Sequence, residues 1–330
     1  VSDKTLLLTD PWFSKSGAFF GSWFQYPKNH HFQSKVLDML ETFENSFIFI
    51  SHEHQDHYDK EFLCNVKKNT TIIIPSYKDK SFKQDCESLN LKVIEIEDTE
   101  KFSLSKGFWI KPYTSHIGIN HDSAILIVTN DFKFFNQNDC KIFDRLDEIN
   151  EVIDYYSVQF SGATWHPSNF VLSNEIKKEV SNKKVNNKLN SVLRGINKLK
   201  PKYFLPAAGP AIFPYLESEL SYGIDNIFIH QNYLNNFLKD NHIKNTLYLS
   251  PGDCLDNNKI MPIQPPSTQK EIEQYKINTK NHWQSIDNTF NRALLEKAIY
   301  GRLEKIQDID IIQTPILIFN FTNKFNHTDH

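Results

Sequence analysis

The sequence has few cysteines and no basic excess, and each shortage excludes a class of protein. Its four cysteines, Cys64, Cys86, Cys140 and Cys254, lie far apart and form no CxxC or CxH pattern. This excludes a zinc ribbon or an iron–sulfur cluster held by these 330 residues alone. Lys and Arg number 37 against 40 Asp and Glu. Because broad binding to nucleic-acid phosphates requires an excess of positive charge, we expect no nucleic-acid partner.

Long apolar runs are also missing. No stretch of about eighteen apolar residues is present, and no charged-then-apolar leader opens the chain. We therefore expect a soluble, cytoplasmic protein with no membrane partner, whose cysteines are reduced and serve as small hydrophobic residues. The chain begins at Val1 without Met and enters the strand TLLLT almost at once. We expect a trimmed piece, with N-terminal strands or a whole domain upstream.

The sequence does contain the material for a large packed core, since 39% of its residues are hydrophobic and 26 are Phe. Apolar strands first alternate with single amphipathic helices and later follow one another directly. This order predicts a layered α/β fold, with helices outside mixed sheets. The proline-rich segment IMPIQPPSTQ indicates a boundary. It separates a main domain, residues 1–262, from a small C-terminal extension, residues 263–330, with a helix (NRALLEKAIYGRLEKI) and a strand (TPILIFNF).

Histidines and acids are concentrated in the stretch FIFISHEHQDHYDKEFL, residues 47–63. Directly after a run of strand-forming residues, His52, His54, Asp56 and His57 follow the spacing H-x-H-x-D-H. A loop at the end of a strand can turn the first two histidines toward one point and the Asp–His pair toward a second. Imidazole and carboxylate suit zinc, iron or manganese, and two such ions can share a bridging water. A surface loop is the alternative, but the position between a strand and a helix favours a site for two divalent metal ions.

The motif HEHQDH behind a hydrophobic strand resembles the signature of the metallo-β-lactamase superfamily. The resemblance implies a four-layered αββα sandwich, with the metal site at strand ends between two sheets. It also implies further ligands downstream: a histidine, a bridging aspartate and a last histidine. The matching positions are His116 in PYTSHIGIN, Asp139 in FKFFNQNDC and His230 in DNIFIHQNYL. His121 is a rival for the first of these positions, and His242 and His166 are rivals for the last.

The sequence also suggests catalytic, supporting and substrate-binding residues near the predicted metal ligands. Asp56 and Asp139 are the candidate catalytic acids, although an acid at position 139 also suits a helix N-cap or a turn. Asp10, in LTDPW, looks like the superfamily acid that supports the histidine loop from behind the ligands. A turn-forming Asp before Pro is compatible with the same position. Glycine permits close approach of a substrate and Trp offers a stacking face. The candidate substrate-binding residues are His121, Ser161, Trp165 and Gly209.

Several segments together resemble one branch of that superfamily, the CMP-N-acetylneuraminate hydroxylase-like proteins. In matching order over roughly residues 5–256 they are LTDPWF, GAFFGSWFQYP, ISHEHQDHYD, DSAILIVTNDFKFFNQNDC, YYSVQFSGATWHP, LKPKYFLPAAGP and LSPGDCLD. The branch implies iron-dependent hydroxylation of the N-acetyl methyl group of a sugar nucleotide, with electrons passed through a Rieske cluster. Because the chain has no Cys-x-His pair, it would need an external Rieske-type donor, and hence an electron-transfer protein as partner.

Two functions follow as hypotheses. The first is an oxygenase with a metal centre, expected to be di-iron, that acts on a polar small molecule such as a nucleotide-linked sugar. The second is a dinuclear metallohydrolase that uses metal-bound hydroxide on a phosphodiester, lactone or amide and needs no electron donor. A scaffold without metals ranks third, because the H-x-H-x-D-H pattern is complete. The ligand types do not fix the metal, since zinc, iron and manganese accept the same set.

Overall fold

Two large β-sheets stack face to face and determine where every other element lies in the first part of the chain. The computed structural model describes residues 4–115, 121–209, 211–213, 227–256, 259–262, 269–285, 321–322 and 328–329. Contacts within the chain divide it into two units, residues 1–286 and 287–330. Both large sheets belong to the first unit.

Four parallel strands form the first sheet. They are β1 (Thr5–Thr9), β2 (Asn45–Phe49), β3 (Thr70–Pro75) and β4 (Lys92–Ile96), paired in that order. The helices between them are α1 (Gln33–Thr42), α2 (Lys60–Leu63) and α3 (Ser81–Glu87), and a 3-10 helix at His30–Phe32 precedes α1. Parallel neighbours need such crossovers, because each strand must start again at the same edge. All four strands therefore end at one edge, where the histidine loop begins.

Six strands form the second sheet. They are β5 (Phe102–Ser105), β6 (Phe108–Thr114), β7 (Ser123–Val128), β8 (Lys133–Asn136), β9 (Tyr155–Gln159) and β10 (Tyr203–Ala207). Their order across the sheet is β10-β9-β8-β7-β6-β5. Neighbours from β5 to β8 are antiparallel, whereas β8, β9 and β10 run parallel. The long helix α4 (Asn174–Leu199) connects β9 with β10, and α5 (Gln231–Asp240) follows β10 in the chain.

Side chains that alternate along the strands sort into three apolar layers. Phe49 of β2 and Ile125 of β7 lie in the layer between the sheets. Their neighbours in sequence point the opposite way, so that Ile48 lies in one layer with side chains of α1, α2 and α3, and Leu126 lies in another with side chains of α4 and α5. A strand buried on both faces is apolar at nearly every position, as in FIFI and SAILIV. The layer order is helix, sheet, sheet, helix, which confirms the predicted αββα sandwich.

The remaining described elements lie in the C-terminal quarter of the sequence. They are β11 (Cys254–Asp256), β12 (Lys259–Met261), α6 (Gln269–Ser285) and, in the second unit, β13 (Phe321–Thr322) paired with β14 (Thr328–Asp329). The helix expected at residues 291–306 lies outside the described residues, as does the strand expected at 314–321 except for its last residue. The domain division at residue 262 stays a prediction. None of the described helices combines the length and the apolar character needed to cross a membrane.

Asp59 ties the segment after β1 to the start of α2. Its carboxylate accepts hydrogen bonds from the backbone N–H groups of Phe13 and Ser14, both at 2.8 Å, and from the Ser14 hydroxyl. It also caps α2 by accepting from the backbone N–H of Phe62 at 3.0 Å. Since Asp59 is only 4% exposed, removal of its carboxylate leaves several buried donors without an acceptor.

We predict that Asp59→Ala lowers the free energy of unfolding by about 3 kcal/mol, because one unsatisfied buried donor costs about 1–3 kcal/mol and a lost N-cap about 1 kcal/mol. Urea denaturation followed by circular dichroism measures the change. Asp38→Ala, at an exposed position of α1, is the control and should change the free energy by less than about 0.5 kcal/mol. Equal effects of the two substitutions would contradict the anchoring role of Asp59.

Candidate metal centre

Two neighbouring parallel strands end side by side and place an acid next to the histidine loop. Asp10 follows β1, and Ser51 lies just beyond the end of β2. The Asp10 carboxylate accepts hydrogen bonds from the backbone N–H of Ser51 at 2.7 Å and from the Ser51 hydroxyl at 2.8 Å. The backbone of Asp10 has φ +42°, a left-handed conformation that Asp adopts more readily than most residues. Asp10 therefore fixes the first residue of the histidine loop.

A tight turn folds the H-x-H-x-D-H segment back on itself. The backbone N–H groups of His57 and Tyr58 both donate to the carbonyl of His54, at 2.9 and 2.7 Å. The turn brings the rings of His52 and His57 together, with centroids 4.2 Å apart. His52 is 2% exposed and His57 is 8% exposed. The local sequence thus builds a buried pair of imidazoles at the carboxyl end of β2.

Nitrogen and oxygen atoms at this turn form two groups that share Asp139. In the first group, Nε2 of His52 lies 2.8 Å from Nδ1 of His54 and 3.9 Å from Oδ2 of Asp139. In the second group, Nε2 of His57 lies 3.9 Å from Oδ2 of Asp56 and 3.7 Å from Oδ1 of Asp139. Asp139 comes from the loop after β8. Its carboxylate presents one oxygen to each group, so the structure brings five of the predicted ligands together.

The arrangement fits divalent metal ions. One ligand atom from each of His52, His57 and Asp139 lies within 4.8 Å of the other two. Oδ1 of Asp56 and Oδ1 of Asp139 are buried and have no hydrogen-bond partner among the described residues. A buried carboxylate oxygen without a partner is costly, and a bound cation removes that cost. Imidazole with carboxylate suits zinc, iron and manganese alike.

Burial and neighbouring charges shift the pKa values of these groups in opposite directions. Burial, together with the charge of His57, lowers the pKa of His52 to about 3. Burial also acts to lower the pKa of His57, but the carboxylates of Asp139 and Asp10 outweigh it and raise that pKa to about 10. Burial acts to raise the pKa of Asp139, whereas His57 and His52 hold it below its usual value. Without a metal, His57 and Asp139 therefore form an ion pair at neutral pH, and His52 is a neutral imidazole.

Each of the two buried histidines has a carboxylate behind it. Nδ1 of His57 lies 3.1 Å from Oδ2 of Asp10, at the place where the resemblance implied a supporting acid. Nδ1 of His52 lies 3.0 Å from the Ser51 hydroxyl and 3.6 Å from Oδ1 of Asp122. Partners of this kind fix the orientation of an imidazole ring, so that its Nε2 atom is the one presented to a metal.

Asp122 and Lys188 are residues near this centre that the sequence analysis did not identify. Asp122 precedes β7, and burial together with Asp139 raises its pKa to about 8. Lys188 lies on α4 and its Nζ donates to the side-chain oxygen of Gln159. Burial lowers the pKa of Lys188 to about 8, although Asp139 acts in the opposite direction. Asp122 could have been identified from the sequence as an acid directly before a buried strand. No local sequence feature points to Lys188, because a lysine in a basic helix usually faces solvent.

The predicted downstream histidines have different environments. His116 lies outside the described residues. His230 precedes α5 and lines the same cavity as His54. Its Nε2 atom is buried with no hydrogen-bond partner among the described residues, and burial, with the charge of Lys276, lowers its pKa. A neutral imidazole with an unpaired nitrogen on the cavity wall is compatible with the role predicted for His230.

The rival histidines have other contacts. His121 stacks on the ring of Tyr77, with centroids 4.7 Å apart, and the Tyr77 hydroxyl donates to the carbonyl of Ser51 at 2.6 Å. His166 packs against Phe170, with centroids 4.8 Å apart. His242 is exposed just after α5. Within the described part of the chain, none of these three histidines lines the cavity beside the candidate metal centre.

A cavity of about 920 Å³ opens beside the two groups of ligand atoms. Trp165, predicted to bind substrate, lines it and packs against Phe213 and Phe228, with centroids 4.9 and 4.6 Å away. Gly209 also lines the cavity, and a Cβ atom there would lie 2.1 Å from the ring of Phe160, so only glycine fits. Ser161 is fully buried and lies outside the described cavity wall.

Comparison with known proteins finds relatives that are longer than this chain. No protein-family model matches the chain. A Mycolicibacterium smegmatis protein provisionally named as a Rieske 2Fe-2S iron-sulfur protein is 28% identical over 228 residues, which cover 65% of this chain and 42% of that protein. A Mycobacterium tuberculosis protein with the same provisional name is 27% identical over 267 residues, covering 76% of this chain and 50% of that protein. The chain spans about half the length of the curated relatives it matches.

A solved structure shares the fold. The protein from Veillonella parvula, described as a possible metal-dependent hydrolase, has a TM-score of 0.51 and 12% identity, and the match covers 76% of this chain and 92% of that chain. At this identity the likeness concerns the fold alone. It agrees with the αββα layer order of this chain.

We predict that the double variant His54→Ala/Asp139→Ala loses its bound metal and keeps its fold, because it removes one member of the first group and the carboxylate shared by both. Mass-spectrometric elemental analysis of the purified protein gives the metal content per chain, and circular dichroism checks the fold. His242→Ala is the control and should retain the wild-type metal content. Full metal retention by the double variant would show that the ligands were wrongly assigned.

We also predict that His57 stabilises the metal-free protein below its raised pKa. Because the folded pKa is about 10, above the ordinary 6.5, this contribution is fully present below pH 6.5 and is lost as the pH rises toward 10. After metal removal with a chelator, the stability advantage of the wild type over His57→Gln in urea denaturation should therefore shrink between about pH 7 and about pH 9.5. A stability difference that does not change with pH would contradict the ion pair.

Proposed function

We propose that this chain is a metal-dependent enzyme that oxidises a polar small molecule, using iron at the candidate metal centre and electrons from an external Rieske-type donor. One observation carries the proposal: the Asp139 carboxylate presents its two oxygens to two histidine-containing groups beside a cavity of about 920 Å³. Cavities of roughly 300–1,000 Å³ are typical of sites for small molecules.

The residues divide into two proposed ligand sets. His52 and His54 would hold one ion, Asp56 and His57 would hold a second, and Asp139 would bridge them; His116 and His230 are the remaining proposed ligands. When bound, such ions supply Lewis acidity that activates water, and iron also supplies one-electron chemistry with dioxygen.

The chain itself orients these groups and shapes the space beside them. Asp10 holds His57 through Nδ1, and Ser51 with Asp122 holds His52 in the same way, so neither ring has to reorient when an ion binds. Trp165 offers a flat apolar face to a substrate on the cavity wall. Asp56 also lines the cavity, and we propose that it moves protons between the centre and the cavity.

The names of the relatives favour oxidation over hydrolysis. Both curated relatives are provisionally named as Rieske iron–sulfur proteins, and this chain spans about half of their length. In the proposed reaction, one atom of dioxygen enters a C–H bond of the substrate and the other leaves as water. The balance requires two electrons, which the Rieske-type donor delivers, and two protons from solvent. Because the chain has no Cys-x-His pair, we place that donor on another polypeptide or on sequence beyond these residues.

We also propose the class of substrate that the cavity binds. The segments that resemble the CMP-N-acetylneuraminate hydroxylase-like proteins include the histidine loop, the Asp139 loop and the segment with Trp165, and each of these contributes to the cavity wall. A nucleotide-linked sugar therefore heads the proposed substrates. Its size is compatible with the volume of the cavity.

A dinuclear metallohydrolase is the second candidate, and the Asp56 carboxyl favours it. Asp56 is held in the second ligand group and lines the cavity, and its Oδ1 atom is buried without a hydrogen-bond partner among the described residues. A carboxylate at this place can accept a proton from an attacking water and return it to a leaving group. Hydrolysis of a phosphodiester, lactone or amide in this way needs no electron donor.

Elemental analysis after purification without added metal, combined with turnover under air and under argon, separates the two functions. We expect about two irons per chain and a product that gains one oxygen atom from isotopically labelled dioxygen. The assay uses CMP-N-acetylneuraminate and simpler nucleotide sugars, with a reduced Rieske-type ferredoxin as donor. Zinc in the purified protein with oxygen-independent turnover would reject the oxygenase and support the hydrolase.

A further inference from the structure

We propose that two amide oxygens, Oε1 of Gln25 and Oδ1 of Asn29, form a substrate subsite for a neutral group that donates two hydrogen bonds. Both residues line the cavity beside the candidate metal centre. Gln25 is only 4% exposed. Both oxygens are buried, and neither has a hydrogen-bond partner among the described residues. Unpaired acceptors on residues that line a cavity are typical of a site that a ligand completes.

The orientation of both amides follows from their partners. Nε2 of Gln25 donates to the carbonyl oxygens of Trp12 at 3.3 Å and Ser14 at 3.0 Å, and Nδ2 of Asn29 donates to the carbonyl of Trp12 at 2.9 Å. A carbonyl oxygen can only accept, so the amide atom that faces it must be the nitrogen. Turning either amide over would place two oxygens against each other. The unpartnered atoms are therefore acceptors.

The backbone around the two amides is held on both sides. The N–H of Ser14 donates to the Asp59 carboxylate at 2.8 Å. Phe24, next to Gln25, exchanges two backbone hydrogen bonds with Ile212, at 2.9 and 2.8 Å. A preformed pair of acceptors loses little conformational freedom when a ligand binds, so more of the interaction energy appears as affinity.

The chemistry of these atoms selects a neutral donor. Amide oxygens carry no net charge, so they do not balance an ammonium group, which is costly to bury without a counter-charge. Nε1 of Trp12 is also buried without a partner among the described residues, and Trp12 lines the same cavity. It adds one donor to the two acceptors. A primary carboxamide offers two N–H donors and one carbonyl acceptor, and two adjacent hydroxyl groups offer the same pattern.

The inference rests on the proposed function, because it takes this cavity as the substrate site and names one part of the substrate. The test can nevertheless fail independently. Binding of a probe to the amide pair requires neither metal nor dioxygen, whereas the oxidation assay requires both.

Saturation-transfer NMR titrations on the full chain provide the test. The probes are benzamide and cis-1,2-cyclohexanediol, each compared with its methylated counterpart, N,N-dimethylbenzamide or cis-1,2-dimethoxycyclohexane, which lacks the donors. We expect at least one donor probe to bind about threefold to tenfold more tightly than its counterpart, the typical effect of one neutral hydrogen bond. Preference for benzamide assigns a carboxamide, and preference for the diol assigns a hydroxyl pair.

Variants test whether Gln25 and Asn29 cause the preference for the donor probes. Asn29→Leu and Gln25→Met each remove one acceptor and should abolish the preference, and circular dichroism checks that each variant folds. Asn65→Leu is the matched control, since Nδ2 of Asn65 also donates to a backbone carbonyl, that of Glu61 at 2.7 Å, but Asn65 is exposed and away from the cavity. Undetectable binding of both donor probes, equal binding of each probe and its counterpart to the wild type, or a preference that survives in both folded variants, would overturn the proposal.

Discussion

The hydrogen bonds between Asp10 and the first residue of the histidine loop are the constraint on which the candidate metal centre depends. Parallel pairing of β1 with β2 sets Thr9 opposite Phe49, and the N–H of Asp10 donates to the carbonyl of Phe49 at 2.9 Å. The Asp10 carboxylate then accepts hydrogen bonds from the N–H and hydroxyl of Ser51 and lies within hydrogen-bond distance of Nδ1 of His57. One side chain thus joins the strand register to the direction of an imidazole, so the sheet determines where ligand atoms converge.

Acidic side chains are concentrated around this centre, and that concentration favours the binding of cations. The carboxylates that surround the two buried imidazoles are those of Asp10, Asp56, Asp122 and Asp139. Burial is the first cause of the raised pKa values of Asp56 and Asp122, and the neighbouring Asp139 adds to it in both. A divalent ion that binds the folded protein favours the ionised form of these acids, so metal binding should also stabilise the fold.

Local patterns were sufficient to predict the parts of the centre that lie within one strand–loop–helix unit. FIFISHEHQDH contains both the buried strand and the ligands, and Asp10 lies at the end of a recognisable strand. Asp139 was placed by its order in the superfamily pattern, and the structure brings it between the histidines. Lys188 and Gln25 could not be predicted in this way. Lys188 lies on a helix whose basic sequence predicts a solvent-exposed face. Gln25 lies in the segment WFSKSGAFFGSWFQYP, which has neither helical nor strand periodicity. Their environments arise only from tertiary packing.

We propose that two divalent ions bind on either side of the Asp139 carboxylate. Crystals of the metal-loaded protein, measured with X-rays on both sides of the absorption edge of the bound metal, test it most directly. We expect two anomalous peaks about 3.5–4 Å apart, one within bonding distance of His52 and His54 and the other within bonding distance of Asp56 and His57. Anomalous peaks only at surface positions, with none within bonding distance of Asp139, would contradict it.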